Sequence, residues 1–113
     1  MAQTFSAEER SYALHAPSHD PVRHLAARYA AKEATIKAMD AACARAGIQP
    51  PRVMLGEIEV RRDAAGRPRL ALSGAADALA ERLGVDRIHV SLSHDGRAAI
   101  ALVLLERLGT QAT

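Results

Sequence analysis

The stretch Leu25-Ala26-Ala27-Arg28-Tyr29-Ala30-Ala31-Lys32-Glu33-Ala34-Thr35-Ile36-Lys37-Ala38 lies inside the longest helical pattern of the chain. It contains neither Gly nor Pro, and alanine, the strongest helix former, recurs through it. Asp20-Pro21 supplies a start, with the carboxylate as N-cap and the proline in the first turn. Gly47, directly after Ala46, supplies a stop. At about 100° per residue, Val22, Leu25, Ala26, Tyr29 and Ile36 share one stripe, which is expected to face the core. Glu33 falls inside that stripe, and Lys37 lies at its edge one turn further on. A carboxylate on a core-facing stripe is costly unless a cation or a metal answers it. One reading is an i, i+4 pair with Lys37, worth about 0.3–0.5 kcal/mol on an exposed face. The other is a site carboxylate holding a divalent cation, with Lys32 and Lys37 meeting phosphate.

The segments on either side complete the pattern. Ser6 and Glu9 read as a capping box opening a short helix to about Leu14. His15 to Asp20 is a loop broken by Pro17, and Gln49-Pro50-Pro51 is a rigid connector. Glu57 to Arg62 alternates as a half-exposed strand, Asp63 to Gly66 turns, and Arg69 to Leu72 returns. Gly74 to Leu83 is a helix closed by Gly84. Arg87 to His94 is a strand, Asp95-Gly96 is a hairpin turn, and Ala98 to Leu105 is a strand apolar on both faces, hence central or covered. Two antiparallel strand pairs among three helices define an α+β class, with a long helix packed on a small antiparallel sheet.

Composition narrows the function. The 113 residues make one domain, residues 1–113, and 25 of them are alanines, which bury little area each. A core this thin leaves room for help from a partner subunit. The longest apolar run, Ala98 to Leu105, is too short to span a bilayer, so no membrane span is expected. Net charge is +2, and the arginines are spread along the chain with few aromatics. A nucleic-acid binder needs a denser basic stripe, so no nucleic acid is expected, whereas a small polyanion fits. Cys43 is the only cysteine, so no internal disulfide is possible, and a buried thiol in a cytoplasmic protein is expected. The cations comprise 13 arginines and two lysines, and both lysines, Lys32 and Lys37, flank Glu33. Ammonium and guanidinium are not interchangeable at a phosphate site.

Val90-Ser91-Leu92-Ser93-His94-Asp95 places a histidine at a strand end beside a tight turn. No G-x-S-x-G elbow is present, which argues against a serine hydrolase. His15, His19 and His24 are spaced by four and five, but Pro17 and Pro21 break the helix that would gather them around zinc.

The stretch from Leu25 to Ala38 closely resembles the signature helix of the holo-(acyl-carrier-protein) synthases, the small trimeric 4′-phosphopantetheinyl transferases. The resemblance runs in order along nearly the whole chain. It takes in Phe5-Ser6 with Glu9-Arg10, then Glu57-Ile58-Glu59-Val60, then Gly66-Arg67-Pro68. It continues through Ser73-Gly74-Ala75-Ala76 and Val90 to Asp95, then Ala98-Ala99 and Ala101.

The resemblance implies a 4′-phosphopantetheinyl transferase-like fold and a homotrimer with sites between subunits. It implies transfer of 4′-phosphopantetheine from coenzyme A to a serine of an acyl carrier protein, with Mg2+. Glu33 would be the metal ligand, and Lys37 would face coenzyme A phosphate, as would Arg28. Gly66 and Pro68 would lie near the adenine, and His94 near the phosphates; Glu33, Lys37 and His94 form the implied catalytic set. Two departures stand out. The family's opening strand, whose aspartate is a second magnesium ligand, is expected to be absent. Met39 to Cys43 continue as helix where the family has a glycine-containing loop. Asp40 or a neighbouring subunit would then have to supply the missing ligand. The alternative is a relative that has lost transfer and binds a carrier protein or coenzyme A as an assembly module.

Overall fold

The computed structural model describes residues 4–15, 21–95 and 97–109. Its elements are α1 (Ala7–His15), α2 (Pro21–Ala46), a single 3-10 turn (Leu55–Glu57), β1 (Ile58–Arg62), β2 (Pro68–Leu72), α3 (Gly74–Leu83), β3 (Arg87–Asp95) and β4 (Ala98–Glu106). Helix α2, at 26 residues, is the axis on which the others pack. Helix α1 and β1 lie against its N-terminal half, α3 meets its C-terminal half, and the β3–β4 hairpin lies along it.

Local signals place most boundaries. The Ser6 hydroxyl accepts the Glu9 N–H at 3.0 Å, and the Glu9 carboxylate accepts the Ser6 N–H at 2.9 Å, so the capping box forms. At the end of α2, Gly47 takes a φ of 69°. The Gly47 and Ile48 N–H groups reach back to Ala44 and Cys43, the double bond of a Schellman stop. The proposed cap Asp20 and turn residue Gly96 lie outside the described residues, as do His19 and the tail Gln111 to Thr113. Met1 to Gln3, within the stretch where the opening strand was sought, also lie outside them. Helix α3 is capped from a distance. Gly74, at φ 55°, brings the Ala75 N–H to 2.5 Å from Glu57 Oε2, and a Cβ on Gly74 would stand 2.0 Å from that oxygen.

The strands form two separate two-stranded antiparallel sheets rather than one. In the first, Ile58 faces Leu72 and Arg62 faces Pro68; in the second, Arg87 faces Glu106 and Asp95 faces Ala98. β2 and β3 approach each other without pairing, so β4 is an edge and not a central strand. One of its faces is half buried against the core, while Ile100, Leu102 and Leu104 on the other are more than half exposed.

The core has two centres. Met39, Cys43, Leu79, Ala80 and Leu83 form one, with Leu72, Val85 and Leu105 packed on it, so Cys43 is a buried thiol as expected. The other surrounds an ion pair. Lys32 is fully buried, and its ammonium lies 3.0 Å from Glu9 Oε1, itself buried. The ammonium also donates to the carbonyls of Ile58 and Leu55. Glu9 Oε2 accepts the Val60 N–H at 2.8 Å. One carboxylate and one ammonium thus tie α1, α2 and β1 together, with their hydrogen bonds answered by protein.

This pair corrects the orientation read from the sequence. The buried face of α2 carries His24, Ala27, Arg28, Ala31, Lys32, Thr35, Met39 and Cys43. Val22, at 77% exposure, and Tyr29, at 41%, look outward, and so does Glu33. The expected stripe is therefore the outer face. On the inner face the small residues Ala27, Ala31 and Thr35 alternate with the longer His24, Arg28, Lys32 and Met39. Lys32 is neither solvated nor at a phosphate.

Replacing Lys32 by Met leaves Glu9 buried without a cation. Urea denaturation is expected to show a loss of about 3–5 kcal/mol. Adding Glu9→Gln to Lys32→Met should recover part of it, because the amide oxygen can still accept the Val60 N–H. A single-variant loss below about 1 kcal/mol, the range of an exposed pair, would mean that water reaches this one.

Candidate functional site

A second layer sits one step along each element from the buried pair. Tyr12 follows Glu9 by three residues on α1, Arg28 precedes Lys32 by four on α2, and Arg62 follows Val60 by two on β1. These are the spacings that keep side chains on the same helix or strand face. The guanidinium carbons of Arg28 and Arg62 both lie over the Tyr12 ring, 4.4 and 4.3 Å from its centroid. The His24 ring meets Tyr12 edge to face at 5.2 Å, and the His94 ring meets His24 in the same way at 5.9 Å. Arg62 also donates to the Gly66 carbonyl.

Arg28 is only 2% exposed. Its Nη1 donates to the His24 carbonyl at 3.3 Å, and its Nε finds no hydrogen-bond partner among the described residues. Burial pushes its pKa below the ordinary arginine range, and the neighbouring Arg62 pushes the same way. Among the described residues, neither arginine is ion-paired to a carboxylate. Sequence reasoning singled out Arg28 but missed Tyr12 and Arg62. The available signal was the scarcity of aromatics, since each of the two tyrosines and the one phenylalanine needs a reason.

The β1–β2 turn holds Gly66 and Pro68. Asp63 Oδ1 accepts the N–H groups of Ala65 and Arg67, both at 2.9 Å, and Oδ2 pairs with Arg67 Nε at 2.9 Å. Gly66 takes φ 82°, which favours glycine. Pro68 lines a cleft of about 380 Å³ between this turn and β3, with Arg67, Ile88, Val90 and Leu92 among its walls.

Glu33 and Lys37 stand apart from this cluster. They are one turn apart on the exposed side of α2, and among the described residues neither enters an ion pair, with the other or elsewhere. The i, i+4 pair therefore does not form. Among the described residues no group of three or more His, Cys, Asp or Glu side chains could hold a metal. Magnesium is commonly held by one or two carboxylates, with water and phosphate oxygens completing its shell. An exposed Glu33 with no competing cation suits that donor set. Asp40 does not add to it, because seven helical residues span about 10 Å. Helix α2 runs unbroken through Met39 to Cys43, so no glycine loop follows Lys37.

Comparison with known proteins bears on this arrangement. Residues 1–103 match the model of the 4′-phosphopantetheinyl transferase superfamily. A holo-[acyl-carrier-protein] synthase of Chloroflexus aggregans is 44% identical over 107 residues, covering 92% of this chain and 76% of that protein. An acyl carrier protein synthase structure from Mycobacterium tuberculosis superposes with a TM-score of 0.66 at 46% identity, covering 92% of this chain and 81% of that one. An ACPS–CoA complex from Chronobacterium ammoniagenes gives a TM-score of 0.76 at 41% identity, with 95% and 80% covered. The chain belongs to the 4′-phosphopantetheinyl transferase superfamily.

The Asp63 latch has a measurable pH signature. The Arg67 N–H bond is the largest influence holding the Asp63 carboxyl below the ordinary aspartate range. Its contribution to the turn is complete above the ordinary aspartate pKa and is lost as pH falls through the lower folded value. NMR titration of the Ala65 and Arg67 amides should show a midpoint below the ordinary aspartate value. A midpoint at or above it would remove the latch.

Proposed function

We propose that this chain is a single-domain holo-(acyl-carrier-protein) synthase. It transfers 4′-phosphopantetheine from coenzyme A to a serine of an acyl carrier protein. The serine oxygen bonds to the β-phosphorus of coenzyme A, the bond from that phosphorus to the bridging oxygen breaks, and 3′,5′-ADP leaves. The serine proton is lost in the same exchange.

The observation that carries this reading is the state of Glu33 and Lys37. They project from the exposed side of a rigid 26-residue helix, one turn apart, and no described side chain neutralises either. Glu33 would hold Mg2+, which when bound offsets the charge on the pyrophosphate. Lys37 meets a phosphate oxygen as a compact point charge. Arg28 serves as a further phosphate donor. His94, exposed near the end of β3, donates a ring N–H to a phosphate in this reading. Pro68 borders the cleft proposed for the adenine, and Gly66 lies in the turn two residues before it. Family membership along most of the chain supports the same assignment.

The working form is a homotrimer. The exposed apolar row of Ile100, Leu102 and Leu104 on an edge strand is a surface that a second copy would cover. No helix among the described residues is long and apolar enough to cross a membrane. Together with the reduced, buried Cys43, this supports a cytoplasmic setting.

Incubation with coenzyme A, magnesium and an apo carrier protein should add the phosphopantetheine mass to the carrier. No gain with several carriers sinks the transfer reading. Glu33→Ala is expected to lower the rate at least about 100-fold, and an unchanged rate would refute its metal role. Leu102→Asp should shift the light-scattering mass from about three chains to one; a wild-type mass of one chain would overturn the assembly.

A further inference from the structure

His94 stands near the exposed end of β3, where it continues the face of Ile88, Val90 and Leu92 that looks to the core. Its cross-strand neighbour is Ala99, a side chain too short to hold an imidazole. Among the described residues its ring makes no hydrogen bond and no ion pair. Rotation about the bond between an imidazole and its Cβ is soft, so a ring left in this position aims its two nitrogens in several directions. One contact restricts it. The His24 ring lies 5.9 Å away between centroids, inclined at 83°. His24 is itself fixed. It is 9% exposed, it belongs to the first turn of the 26-residue helix α2, and it meets the Tyr12 ring of α1 at 5.2 Å and 86°. A buried ring held between two helices thus bears on a loose ring at a hairpin end. Perpendicular aromatic pairs have a preferred geometry, so the buried partner imposes a direction on the exposed one.

We infer that His24 is a positioning residue, whose ring sets the orientation of the His94 imidazole and so of the N–H that His94 presents to a phosphate. The role of His94 rests on the transfer reading above; the ring contact rests on the geometry alone. His24 touches no substrate in this arrangement. What it supplies is a rigid ring plane rather than its nitrogens, so phenylalanine should serve in its place and an aliphatic side chain should not. The contact also ties the β3–β4 hairpin end to α2, the helix that carries Glu33 and Lys37. Ordering His94 before the ligand arrives removes an entropic cost that binding would otherwise carry. A donor oriented in this way acts on bound coenzyme A before and during reaction alike, so the gain falls in affinity and not in turnover.

The test combines NMR of the full chain labelled at the histidine rings, calorimetric titration with coenzyme A, and transfer kinetics. In the wild-type chain a cross-peak should join the two rings, and the His94 ring should relax as an ordered group. A missing cross-peak, or a freely rotating His94 ring, overturns the inference without any variant. His24→Leu should free the His94 ring and weaken coenzyme A binding about fivefold. KM should rise by the same factor, with kcat changed by less than about twofold. His24→Phe should restore most of the affinity. In a His94→Ala background, His24→Leu should cost less than about twofold, because the ring it positions is gone. An undiminished loss in that background makes His24 merely structural and overturns the inference, as does a fall in kcat with KM unchanged. Transfer with full coenzyme A affinity in His24→Leu overturns the positioning role and leaves the transfer reading standing. A chain that shows the ring contact and the His24-dependent affinity but modifies no carrier does the reverse. A wild-type chain that binds no coenzyme A overturns the positioning role.

Discussion

The Lys32 ammonium, closed in by Glu9 and two backbone carbonyls, sets the geometry of the N-terminal half of the fold. Taking two charges out of water is costly, and the cost is met only when their hydrogen bonds are answered. Glu9 reaches the Ser6 and Val60 N–H groups as well as Lys32. Three elements are thereby fixed at one point. The rotation of α2 about its own axis follows, since Lys32 must point inward. With 100° between successive residues, Glu33 and Lys37 then come to the surface, and Arg28 stays inside one turn earlier.

The same fixed point creates a second layer. Tyr12, Arg28 and Arg62 repeat the Glu9, Lys32 and Val60 arrangement one step along their elements. The inner layer is electrically closed and structural. The outer layer carries two positive charges that no carboxylate among the described residues pairs with. A protein can retain such an imbalance when a ligand supplies the opposite charge. The inner pair and the outer cluster occupy neighbouring turns of the same three elements, so a change in the inner pair should be felt in the outer cluster.

Apolar area is short elsewhere. The central helix buries alanines where larger proteins would place leucines, and α3 supplies Leu79 and Leu83 to a compact cluster with Met39 and Cys43. Three large aliphatic side chains of β4, Ile100, Leu102 and Leu104, lie on the outer face, and Leu105 packs on that cluster. Three such residues facing outward on an edge strand leave an apolar row open, and this is the surface the proposed trimer would cover.

What the sequence determined by itself is the local structure. The capping box at Ser6 and the glycine stops at Gly47 and Gly84 are legible because the contacts that make them span a few residues, and the two strand pairs because each is joined by a short turn. The resemblance carried by Leu25 to Ala38 supplied the family, and Glu33 and Lys37 were noticed. The apolar stripe points Glu33 toward the core, whereas the residue lies on the outer face. An alanine-rich helix has a weak apolar contrast, so its inner side cannot be found from hydropathy. Tertiary structure decided that side. The partner that makes a buried lysine tolerable lies 23 residues before it at Glu9, and the Leu55 and Ile58 carbonyls lie 23 and 26 residues after it. Burial of charge depends on what folding brings within about 3 Å, and no periodicity within a single helix records that.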